Sequence, residues 1–120
     1  MTPDPHLESL FWEETAANAN AARRVLASIG NGAPPPEGRT TVLRAFHILA
    51  GTAGLVGHAD WGRVAAAAEA AMRRWGETGL IGAADLGLIR DTLNAVAALA
   101  EGQETPDPMV YLKRWSDKGY

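Results

Sequence analysis

The chain has three histidines, fourteen acidic and eleven basic residues, and no cysteine. Among these, His47 stands in a pattern that asks for a chemical explanation. At about 100° per residue around a helix, one strip near it is polar or small: Arg44, His47, Gly51, Gly54 and His58, with Ala50 at its margin. Glycine inside a helix costs roughly 1 kcal/mol relative to alanine. Gly51 and Gly54 therefore weaken the helix while clearing bulk from beside an imidazole, so that a backbone or a phosphoryl group can approach closely. An uncovered imidazole can act as a nucleophile or be recognised. The plainer reading is a boundary histidine on a strip whose small residues let another helix pack tightly.

The remaining residues exclude several chemistries. Without cysteine there is no disulfide framework and no thiolate zinc site. His58 shares the strip with His47, but eleven residues of helix rise roughly 16 Å, too far for two ligands of one metal. His6 sits near a terminus with no evident partner, so no metal site is expected. No phosphate-cradling glycine motif or Ser-His-Asp arrangement can be assembled, which argues against a nucleotide site and a complete kinase. The net charge of −3 disfavours nucleic acid. Trp12, Trp61, Trp75 and Trp115 read as packing anchors, and Met72 as core filler. No apolar run reaches about 18 residues, and no basic stretch precedes an apolar leader, so neither a membrane span nor a signal peptide is expected. The absence of cysteine suits a cytoplasmic protein, and nothing demands a dimer, so a monomer is expected.

These side chains must be positioned by helices. Alanine is abundant and β-branched residues are sparse, which favours helix, and 120 residues suffice for one domain with its own core, residues 1–120. Asp4-Pro5 reads as a cap followed by proline at the first helical position. The first helix then runs from about Pro5 to Ile29, with Leu7, Leu10, Phe11, Ala21, Val25 and Ile29 at helical spacing. Gly30-Asn31-Gly32 ends it, and Pro34-Pro35-Pro36 makes a stiff connection. The second helix is expected from Thr40 or Thr41 to about Gly57. Val42, Phe46, Leu49, Ala53 and Val56 share one face, and Ala45, Ile48 and Leu55 extend its apolar character, which places it deep in the fold. Asp60 is expected to cap a third helix ending near Trp75, before Gly76 and Gly79. A fourth spans about Ala83 to Ala100 and stops at Gly102. Asp107-Pro108 opens a short fifth through Tyr111, Leu112 and Trp115. The expectation is an all-α fold: an antiparallel four-helix bundle with a short additional C-terminal helix.

The segment from Phe46 to Gly57 resembles the active helix of histidine-containing phosphotransfer (HPt) domains. The family pattern, roughly His-x-x-Lys-Gly-Ser/Thr-Ala-x-x-x-Gly, is matched in register by His47, Gly51, Thr52, Ala53 and Gly57. Gly54 matches the variant found in the phosphotransfer domain of chemotaxis-type histidine kinases. Leu10-Phe11-Trp12-Glu13-Glu14 looks like the first helix of such domains.

The resemblance implies a bacterial-style phosphorelay component. His47 would carry a phosphoryl group between a kinase or receiver-domain aspartate and another receiver, without a nucleotide site or cofactor of its own. Mg²⁺ would belong to the acidic pocket of the partner receiver. In chemotaxis-type domains a glutamate 22 residues after the histidine accepts a hydrogen bond from the imidazole, and that position here is Glu69. An acceptor on Nδ1–H fixes the tautomer, leaves Nε2 as the nucleophile and raises its basicity. Taken alone, Glu69 would read as a solvated partner of Arg73 at i+4, worth a few tenths of a kcal/mol. The family lysine three residues after the histidine is Ala50 here. That lysine normally offers positive charge to the phosphoryl oxygens, a role Arg44 could fill one turn earlier. Gly51, Gly54, Ala50 and His58 would border a partly apolar surface that docks the receiver. The departure at Ala50 keeps a second reading open: a degenerate HPt-like adaptor that docks a receiver or kinase without transfer. An unrelated structural bundle is the third.

Overall fold

The computed structural model describes residues 5–29 and 36–120. The expected Asp4 cap, the Gly30-Asn31-Gly32 terminator and Pro34-Pro35 of the connection lie outside the described residues. Every regular element among those described is helical: α1 Pro5–Ile29, α2 Pro36–Thr52, a 3₁₀ turn Ala53–Val56, α3 Ala59–Thr78, α4 Ala83–Ala100 and α5 Pro108–Ser116. Helix α1 packs on both α2 and α4, while α3 packs on α2 and α5.

The boundaries of α2 differ from expectation at both ends, for identifiable reasons. Proline has no N–H to lose at a first helical position, so the last proline of the run begins the helix. Thr40 and Thr41 consequently lie in its second turn and do not cap it. At the other end, Thr52 is the last residue of the α-helix, its Oγ1 donating to the carbonyl of Ile48 at 2.7 Å. The chain tightens into the 3₁₀ turn and ends at Gly57, whose φ of 86° is left-handed and suits glycine. A continuous helix over positions 47–58 therefore does not form, and the rise estimated between His47 and His58 does not apply.

Helix α3 begins at Ala59, with His58 and not Asp60 at the cap position, two residues before the expected start. Asp60 lies inside the first turn and not at the cap, where its charge still favours the helix N-terminus. Gly76 does not break the helix. It is exposed and continues the backbone to Thr78, and Gly79 in the left-handed region (φ 73°) stops it by donating to the carbonyl of Trp75 at 2.8 Å. Asp107 caps α5 through a 2.9 Å bond from the Met109 N–H, with Pro108 first in the helix.

The buried face that runs from α2 into the 3₁₀ turn is Val42, Phe46, Leu49, Ala53 and Val56, with Ala45 also buried, as helical periodicity implies. It packs in one core with Trp61, Val64, Ala68, Met72 and Trp75 of α3 and with Leu26 of α1. This segment is less deeply enclosed than expected, because Ile48 is only half-buried and Leu55, in the turn, is 67% exposed. In α1 the buried stripe is Phe11, Thr15, Ala19, Ala22 and Leu26, at steps of four and three residues. Leu7 and Leu10 are exposed, and Ala21 and Val25 are half-buried. The face that α1 offers to its neighbours is rotated from the one its larger apolar residues suggested, and small residues fill it.

Candidate functional site

The site is built where α3 crosses the end of α2. Gly62 is buried, and a Cβ there would lie 3.4 Å from Ala53 Cβ and 3.6 Å from the Ala50 carbonyl oxygen. The two segments therefore pack closely here, with room for no more than a methyl group at this position. Two turns further along α3, Glu69 stands opposite His47. Gly62 was not singled out in the sequence. The available signal was one glycine inside an alanine-rich helical run, which usually has a packing reason.

His47 Nδ1 lies 2.7 Å from Glu69 Oε2. A carboxylate only accepts, so Nδ1 carries the proton and donates it. The Nε2 lone pair is left without a partner among the described residues, on a side chain that is 65% exposed. Glu69 is only 15% exposed, so it is held in the groove between the helices while the imidazole projects from it. Arg73, one turn along α3, donates from its NH2 nitrogen to the same Glu69 oxygen at 3.1 Å. The i+4 pair expected from the sequence and the contact to His47 therefore coexist on one carboxylate oxygen.

The other candidate residues divide. Arg44 is exposed one turn before His47 and makes no ion pair with a described residue. Gly51 and Gly54 are exposed, and a Cβ at either would meet nothing within 4 Å. They leave open space and do not serve helix packing, whereas Gly62 faces a neighbouring segment. Ala50 is half-buried against the core, with its carbonyl toward Gly62. His58 is drawn away from the strip when α2 ends. It is half-buried, its ring parallel to Phe11 at 6.5 Å and edge-on to Trp12 at 4.8 Å between centroids. Its surroundings are aromatic packing against α1 and not a continuation of the His47 face.

Beyond Gly51 the surface becomes apolar. Leu7, Leu10 and Leu55, all exposed, surround a recess of about 70 Å³ completed by Phe11, Glu14, Thr52 and Val56. Among the described residues, no three His, Cys, Asp or Glu side chains come together as metal ligands. No described helix is long and apolar enough to cross a membrane.

Comparison with protein-family models, with curated proteins and with solved structures finds no match.

Proposed function

We propose that this chain is an HPt-type phosphocarrier domain that acts in a cytoplasmic phosphorelay. In this reading the four long helices form an antiparallel bundle, with α5 appended. The observation that carries the proposal is the 2.7 Å contact of His47 Nδ1 with a largely buried Glu69, on an imidazole that is itself mostly exposed. A nucleophilic imidazole needs one nitrogen held as a donor and the other free to react. Here one nitrogen is fixed and the other is open.

The step follows from that arrangement. Nε2 attacks the phosphorus of a receiver's phospho-aspartate. The N–P bond forms as the P–O bond to the aspartyl carboxylate breaks, and the carboxylate leaves. Reversal toward a second receiver returns the phosphoryl group to an aspartate. Positioning and electrostatics supply most of the catalysis in such transfers. Mg²⁺ is held by the receiver. The open space at Gly51 and Gly54 admits the partner's surface, and the Leu7, Leu10 and Leu55 patch offers it an apolar contact. The domain has no nucleotide site in this reading and works as a monomer.

One observation favours a second reading, an adaptor that docks a receiver or kinase without transfer. Ala50 stands where the family places its lysine and is half-buried. Incubation with a phosphorylated receiver, and separately with phosphoramidate, decides between them. The carrier gives an acid-labile, base-stable label that disappears in His47→Gln. Receiver binding without label establishes the adaptor, and neither binding nor label with a panel of receivers and kinases removes both.

A further inference from the structure

A carboxylate that orients a nucleophile also charges it. Glu69 puts a negative charge next to an imidazole that, in the function proposed above, must receive an anionic phosphoryl group. Arg73 addresses this conflict. Its guanidinium lies 3.1 Å from the oxygen that accepts from His47 Nδ1. Arg73 is 57% exposed and Glu69 15%, so the positive end of the pair faces outward and the negative end inward.

We propose that Arg73 is the charge-compensating residue of the His47 site. Acting through Glu69, it lets the carboxylate fix the ring without presenting a net negative face to an incoming anion. The biological use of this device rests on the phosphocarrier reading, whereas the electrostatics stand on the geometry alone. Arg73 touches neither Nε2 nor any group arriving there, so it is a positioning residue. Arg39 and Glu77, one basic and one acidic, line the same cleft as Arg73 between α2 and α3. Arg44 is exposed on His47's own helix and has no carboxylate anchor among the described residues. A free guanidinium samples many positions, whereas an anchored one keeps its charge in place.

A pair of alkylating reagents isolates the charge effect. Iodoacetate and iodoacetamide react by one displacement: the Nε2 lone pair forms the N–C bond and iodide leaves. They differ chiefly in charge. The rates at His47, mapped by peptide mass at low ionic strength with His6 as internal reference, give a ratio of anionic to neutral reagent. Arg73→Gln is expected to lower that ratio about twofold, the effect of one unit charge acting through water over roughly 8 Å. Arg73→Lys retains most of the ratio, and about 1 M salt removes the difference. In a Glu69→Gln background the arginine loses its anchor, and adding Arg73→Gln then changes the ratio by less, the signature of coupled residues.

An unchanged ratio in Arg73→Gln overturns the assignment. So does an equal fall in both rates, which marks a structural role, or a larger fall in Arg44→Gln than in Arg73→Gln. Phosphoramidate labelling of the same variants separates this inference from the functional reading. A ratio that shifts in a protein that never takes the label ends the phosphocarrier reading and leaves the role of Arg73 intact. Label on His47 with a flat ratio does the reverse.

Discussion

Two of the polar chains that link helices among the described residues differ sharply, one being sealed and the other open. In the sealed chain, Trp115 Nε1 of α5 donates to Thr92 Oγ1 of α4 at 3.1 Å, and Thr92 donates to the Leu88 carbonyl at 2.7 Å. Both side chains are fully buried. Each donor has its acceptor inside the protein, and the Arg114–Asp91 pair at 2.9 Å lies exposed on the neighbouring surface. In the open chain, Arg73, Glu69 and His47 are joined through one carboxylate oxygen and end on an imidazole nitrogen facing solvent. A buried network that satisfies itself stabilises and specifies the fold. A network that leaves a lone pair at the surface adds little stability, because exposed pairs contribute about 0–1 kcal/mol, but it has an atom available for reaction. The self-satisfied buried chain and the chain that ends on an exposed imidazole therefore lie in different parts of the fold.

The comparison can be broken first at Trp115. Replacing it with alanine removes a fully buried aromatic and should cost about 3–5 kcal/mol, read as a lower urea midpoint. A loss below about 1 kcal/mol would show that α5 is not part of the stabilising core. Thr92→Val keeps the volume but leaves the Trp115 N–H buried without an acceptor. The expected cost is about 1–3 kcal/mol, and an unchanged midpoint would mean that the sealed chain is not the stabilising feature. On the open side the sign reverses. Gly51→Ala adds a methyl group where nothing lies within 4 Å, so it should stabilise by about 0.5–1 kcal/mol. Thermal unfolding tests this. Destabilisation there would mean that the His47 face is packed after all.

Much of the helical framework could be read from the residues. The buried face of α2 follows from apolar spacing, because burial of one stripe is what makes an amphipathic helix stable. The Asp107-Pro108 start of α5 follows from capping chemistry, which is local. Less legible were the ends of α2 and α3, where glycine and proline each permit more than one outcome. Pro36 opens a helix although it also completes a proline run, and Gly76 sits within a helix although it could have ended one. The face of α1 was read from its largest apolar residues. Burial instead followed Phe11, Thr15, Ala19, Ala22 and Leu26, because which side of a helix is covered depends on its neighbours. His58 was misplaced for a related reason, since its position depended on a helix that stops at Thr52.

The sequence by itself determined the helical class, the apolar seam of α2 and the exposed strip that carries Arg44, His47, Gly51 and Gly54. These depend on propensity and on periodicity along one element, and both are local properties. The resemblance pointed to Glu69 as the partner of His47, and i+4 spacing to its pair with Arg73; only the tertiary structure decided that both contacts fall on one Glu69 oxygen and that Gly62 packs beside Ala50 and Ala53. Residues 22 positions apart on different helices meet only when the packing of those helices is fixed, and that depends on a core drawn from several helices and not on any one segment.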